Sequence, residues 1–181
     1  MAKLFLITTV QISLQKLITG QLPYMRSKGF EPLMISADGP EAEAVVAEQQ
    51  CEHVLVPMTR KVTPLQDLRS LWEFYKLCKK YRPEIIHSHT PKAGIVGMLG
   101  GLLAGVPVRL HTVAGLPLME TTGLTRRILN AVEKLTYACA TKVYPNSTVL
   151  KDFILDSGFC GPEKVKVIGN GSSNGINTTF F

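Results

Sequence analysis

The densest run of chemically capable side chains in the chain is His87-Ser88-His89-Thr90-Pro91-Lys92-Ala93-Gly94. Extended backbone puts His87 and His89 on one face and Ser88 on the other. Two imidazoles two residues apart could start a metal site, but no third ligand is near, so no metal is expected. His87 reads as a hydrogen-bonded core histidine. Lys92 opens a helix, where the dipole disfavours a cation. An ill-placed cation beside His89 and Thr90 points to an anionic ligand. His89, Thr90 and Lys92 are therefore candidate binding residues.

Three other runs carry polar groups. Thr8-Thr9-Val10-Gln11-Ile12-Ser13 offers hydroxyls and an amide at a helix start, a fair site for an anion or a sugar. Gln11 and Ser13 are its candidates, and Ser13 has the plainer alternative of capping the helix. Arg109-Leu110-His111-Thr112-Val113-Ala114-Gly115 sets a histidine before a glycine loop, as a pocket wall would. His111 bonded locally and Gly115 making a turn is the competing reading. Glu120 follows in the next loop, either as a base or sugar-hydroxyl acceptor or as a solvated carboxylate. Asn146 and Ser147 close the set, one able to reach a crevice and the other a plausible cap. The chain lacks G-x-G-x-x-G after its first strand, a P-loop and a G-x-S-x-G elbow. These absences argue against NAD enzymes, P-loop NTPases and α/β-hydrolase chemistry.

All of these runs fall at the ends of expected strands. Strands are expected at 3–10, 31–36, 53–56, 84–88, 107–113, 142–145 and 165–168. Helices are expected at 13–28, 40–50, 63–81, 91–104, 124–139 and 147–157. In the 63–81 helix, Leu65, Leu68, Leu71, Trp72, Tyr75 and Cys78 form the expected buried stripe. The nearly apolar AGIVGMLGGLLAG reads as a buried packing helix. Strand–helix alternation predicts an α/β domain. It is a Rossmann-like, doubly wound, mainly parallel sheet of about seven strands with helices on both faces. Ligands of such sheets bind beyond the carboxyl ends of the strands.

With 181 residues, 45% hydrophobic and 19% charged, the chain can fill one core without staples. Its four cysteines form no C-x-x-C and read as reduced thiols of a cytoplasmic protein. The apolar runs 4–10 and 93–110 are too short or too interrupted to span a bilayer. The net charge is +6, and residues 59–82 carry +5 of it. Lys76, Lys79, Lys80 and Arg82 complement the end of their helix. Alternatively they dock on anionic lipid at the inner face of the membrane, with Arg126 and Arg127 adding to the patch. A single Trp and no recognised motif argue against nucleic-acid binding.

Five stretches then carry a resemblance. They are SLQKLITGQLPYMRSKGFEP, PEIIHSHTPKAGIVGMLGGLLAGVPVRLHTVAGLP, ETTGLTRRILNAVEKLTYACATKVYPNS, the GFC–EKVKVIG segment and GSSNGIN. In this order they resemble the N-terminal half of a glycosyltransferase family 4 enzyme of the GT-B fold, of the bacterial capsule and exopolysaccharide type. The resemblance implies a retaining enzyme that moves a hexose from a nucleotide-sugar, its cosubstrate, to a saccharide acceptor, usually lipid-linked. No tightly bound cofactor is implied. Residues 1–169 would be the acceptor domain, and 170–181 an exit toward a donor domain bearing a pair of Glu. Without that domain, residues 1–181 would not turn over. Many relatives carry His or Arg where this sequence has Ala114, and His111 is the candidate substitute. Two alternatives stay open: a non-catalytic saccharide- or phosphate-binding module, and a sugar-nucleotide epimerase of the same fold.

Overall fold

A computed structural model describes residues 1–40 and 42–172. Six strands form one parallel sheet: β1 (Ala2–Val10), β2 (Phe30–Ala37), β3 (His53–Leu55), β4 (Ile85–Ser88), β5 (Val108–Val113) and β6 (Lys142–Pro145). Their order is β3-β2-β1-β4-β5-β6. The helices are α1 (Gln11–Leu17), α2 (Gln21–Ser27), α3 (Ala42–Gln49), α4 (Pro64–Tyr81), α5 (Pro91–Ala104), α6 (Gly123–Cys139) and α7 (Thr148–Asp156). A 3-10 turn covers Pro117–Glu120. The direction of winding reverses between β1 and β4, which opens the crevice beyond their carboxyl ends.

Alternation along β1 explains the two covered faces. Phe5 and Ile7 join the larger core with Ile35, Ile86, Val113 and Val143. Leu4 and Leu6 join the smaller one with Leu14, Ile18, Leu22 and Met34. One residue of register would exchange the two sets, so the pairing Phe5–Leu33 and Phe5–Ile86 is fixed by burial.

The structure departs from the sequence expectation in three places. The expected helix 13–28 is two helices. Pro23 cannot donate and its ring would strike the carbonyl of Thr19, so the chain breaks at Gly20, which takes φ +76°. The expected seventh strand shrinks to one parallel bridge between Val165 and Val143. The turn through Pro162 before it and Gly169 at φ +57° after it leave no room for more. The expected 170–181 exit lies mostly outside the described residues, as does most of GSSNGIN.

The third departure is the face of α4. Ser70, Phe74 and Cys78 are buried, whereas Leu65, Leu68 and Trp72 point outward at 87, 64 and 59% exposure. The reason is the neighbouring helix. Gly100 of α5 has no side chain, and Phe74 occupies that space: a Cβ there would lie 2.8 Å from its Cδ1. Ser70 donates to Pro57 O at 2.6 Å and to Gln66 O at 2.8 Å, so its hydroxyl is satisfied inside. Small residues on one helix thus decide which face of the next is buried, and hydrophobicity alone selects the wrong one. α5 itself is the buried packing helix expected from its composition.

Candidate functional site

The carboxyl ends of β1, β4 and β5 meet at a polar knot. Thr90 accepts from Thr9 N at 2.9 Å, and the two hydroxyls lie 2.7 Å apart. His89 N donates to Ile7 O at 3.1 Å, which carries the β1–β4 pairing one step beyond β4. The His89 ring follows this backbone inward. It is 4% exposed, packs against the His87 ring at 4.1 Å between centroids, and neither of its nitrogens has a partner.

The other two imidazoles are bonded. His87 Nε2 lies 2.8 Å from Thr112 Oγ1, as a core histidine should. His111 Nδ1 lies 2.8 Å from Ser88 Oγ, its register partner across β4–β5. Burial pushes His87 down to about 4 and His111 to about 3, with His87 adding to the latter. Burial, then His87 and His111, holds His89 well below the ordinary range. All three rings are neutral at pH 7.

A cavity of about 130 Å³ opens here, walled by His89, Thr90, His111 to Leu116 and, from α6, Glu133. Glu133 is 5% exposed and burial raises its carboxyl. The Tyr137 hydroxyl, one turn later, lies beside it but outside good hydrogen-bond geometry. Two neutral rings and one carboxyl make a site for a neutral polyhydroxylated ligand, not for an anion. Among the described residues no three His, Cys, Asp or Glu side chains assemble a metal site.

Other candidates fare differently. Lys92 is 12% exposed, pairs with Asp67 Oδ2 at 2.5 Å and donates to Lys61 O at 2.8 Å. It locks the segment before α4 onto α5, so the argument from an ill-placed cation to a bound anion falls. Gln11 is buried over Gly39. Ser13 does not cap: the N-cap position of α1 is Val10. Asn146 Nδ2 donates to Ala114 O at 3.1 Å, tying the loops after β5 and β6 together. Ser147 does cap α7, accepting from Leu150 N. Glu120 is exposed on the 3-10 turn and does not line the cavity. The carboxyl that does, Glu133, was not among the sequence candidates. Its signal was a charged residue on the buried stripe of α6, beside Thr136 and Tyr137.

Comparison with known proteins settles the family. A model of the glycosyl transferase 4-like domain matches residues 18–171. The chain belongs to the glycosyl transferase 4-like domain family. It is similar to the capsular polysaccharide biosynthesis glycosyltransferase CapM of Staphylococcus aureus, 36% identical over 179 residues. That match covers 99% of this chain and 46% of CapM. It is also similar to UDP-Gal:alpha-D-GlcNAc-diphosphoundecaprenol alpha-1,3-galactosyltransferase of Escherichia coli. There the identity is 31%, covering 63% of this chain and 30% of the relative. The chain therefore spans less than half the length of these glycosyltransferases. Among solved structures, a putative UDP-N-acetylglucosamine 2-epimerase from Listeria monocytogenes superposes with a TM-score of 0.71 at 16% identity. That covers 93% of this chain and 45% of the other. HepE of Anabaena, in complex with UDP and glucose, gives 0.69 at 18%, covering 95% and 45%. These likenesses show the shared Rossmann-like fold, and transferases and epimerases both use it.

Proposed function

We propose that this glycosyl transferase 4-like domain is the acceptor-holding half of a retaining glycosyltransferase. It moves a sugar from a nucleotide-sugar to a saccharide, lipid-linked in the cell, during cell-surface polysaccharide assembly. One observation carries this reading: the cavity beyond β4 and β5 holds a neutral His89 whose two nitrogens are unused by the protein. A neutral imidazole offers one donor and one acceptor, which suits a sugar hydroxyl. The domain contributes by fixing the acceptor hydroxyl in place, and a donor-binding domain stabilises the departing diphosphate. The relatives' names, capsule synthesis in one and a diphosphoundecaprenol acceptor in the other, support the substrate class.

The test assays the complete protein with UDP-sugars and a GlcNAc-diphospholipid. Transfer is expected, and residues 1–181 alone should give none. H89A should raise the acceptor KM at least tenfold with little change in the donor KM. Conversion of UDP-GlcNAc to a 2-epimer, without transfer, would overturn the reading in favour of an epimerase.

The exposed face of α4 supports peripheral contact with an anionic membrane. Val62, Leu65, Leu68 and Trp72 stand out of the surface near its start, and Lys76, Lys79, Lys80 and Arg82 follow. Trp72 stacks on Tyr75 with centroids 5.4 Å apart, and Lys79 lies over Tyr75. Apolar and aromatic groups beside cations suit a headgroup boundary. Arg126 drops out of the patch, because it donates to Leu118 O at 2.5 Å and lies over Phe153. Arg127 is exposed. Among the described residues no helix is long and apolar enough to cross a membrane. At ~1 kcal/mol per cation, K76E/K79E/K80E should weaken binding to phosphatidylglycerol vesicles at least tenfold. Trp72 is the only tryptophan, so its emission should shift to the blue on binding, and an unchanged spectrum with vesicles argues against contact.

A further inference from the structure

Glu133 is hard to explain as a structural residue. It sits on α6 at 5% exposure. The two ion pairs among the described residues, Arg69–Glu73 and Lys92–Asp67, do not involve it. A carboxyl held there without a cation costs stability that a Gln or Leu would not. It nevertheless lines the same cavity as His89 and His111.

We infer that Glu133 reads the acceptor sugar, its carboxylate accepting from two neighbouring hydroxyls of a pyranose in the cavity. This rests on the reading of that cavity as the acceptor site. The chemistry favours a polyol. A carboxylate has two acceptor oxygens at the spacing of a vicinal diol, and it can only accept. Beside it His89 has one donor and one acceptor to offer. A sugar supplies hydroxyls that act both ways, so both side chains are satisfied. An ammonium group would satisfy Glu133 and leave the His89 N–H unpaired. Glu133 is thus a specificity residue of the acceptor site, supplied by a helix and not by a strand end.

The test uses isotope-labelled residues 1–181, with methyl α-glucoside, methyl α-galactoside, N-acetylglucosamine and their monodeoxy derivatives as probes. Amide shifts at Thr112, Val113 and Gly115 report the cavity. At least one parent sugar should bind. Removing one of two adjacent hydroxyls should weaken it about tenfold. E133Q should lose a similar factor and no longer distinguish the deoxy sugars. The titratable groups around Glu133 are His89 just after β4, His111 from β5 and Tyr137 on its own helix. Burial lowers both imidazoles and raises the Glu133 carboxyl, so proton uptake on acidification is expected at the carboxyl before the rings. Wild-type affinity should therefore fall as pH falls, and E133Q should be flat. E133Q retaining wild-type affinity and discrimination overturns the inference. A flat deoxy panel also overturns it, with no need for the variant to fold. If no parent sugar shifts the cavity amides, the acceptor-site reading falls and takes this inference with it. If a parent sugar binds and only the discrimination is missing, the acceptor-site reading stands and Glu133 alone is wrong.

Discussion

Lowering the pH from 8 to 5 should cost the domain about 2 kcal/mol at His111, with a further loss at His89. The unfolded chain titrates its histidines near the ordinary value of about 6.5. In the folded chain burial holds His111 at about 3 and His89 well below the ordinary range. Between those values the unfolded state binds protons that the native state refuses. Stability is therefore fully present above pH 6.5 and is lost as pH falls toward the folded values. At pH 5 the gap for His111 is about 1.5 pH units, or ~2 kcal/mol. His87, held at about 4, adds a similar amount, because pH 5 still lies a unit above its folded value. Glu133 works in the opposite sense. Its raised carboxyl favours the fold as pH falls toward the ordinary carboxyl value, and offsets part of the loss. Urea unfolding at pH 8 and pH 5 measures the difference. H89F should be at least as stable as wild type at pH 8, because two unpartnered buried nitrogens go, and it should lose less at pH 5. Equal stability of the wild type at the two pH values would refute the neutral-histidine account.

The same three rings show what a sequence can and cannot reveal about this site. Strand–helix alternation gave the parallel doubly wound sheet, because period-2 and period-3.6 patterns are local properties of the chain. His89, Thr90 and His111 were legible as candidates for the same reason: they sit at strand ends, and strand ends are where such sheets bind. Lys92 misled because its partner, Asp67, lies 25 residues away, across two elements. The outward face of α4 was missed because the choice between Phe74 and Leu68 is made by Gly100, on another helix. Glu133 was overlooked because a carboxylate in an amphipathic helix normally marks the solvated side. Only the packing of α6 beside α5 turns that position toward the cavity. In each case the deciding atom belongs to a segment distant in sequence, so local pattern carries no trace of it.

Gly94 is where that long-range packing is tightest around the site, and replacing it should be costly. A Cβ at Gly94 would stand 2.6 Å from His111 Cε1 and 3.2 Å from both ring nitrogens. Carbon atoms in contact normally keep ~3.5 Å or more. His111 cannot swing aside freely. Its Nδ1 is bonded to Ser88 Oγ, and its ring packs against Tyr137 with centroids 5.8 Å apart. Alanine in a helix gains ~1 kcal/mol over glycine, which works against the clash. Overpacking costs ~1–3 kcal/mol for one added methyl and more for a branched side chain. G94A should therefore lose about 1 kcal/mol net, and G94V about 3 kcal/mol or more. G97A, whose Cβ would meet a methyl of Ile7 at 3.1 Å and Ile86 and Ser88 at an ordinary 3.6 Å, should be close to neutral. The clash is with one ring, so a double-mutant cycle isolates it. H111A alone leaves a void and should destabilise strongly. In the H111A background G94A should no longer cost stability, and should recover about 1 kcal/mol through helix propensity. A coupling near zero between the two positions would mean that α5 shifts as a body to accommodate the methyl, and that the glycine is not what holds the helix against His111.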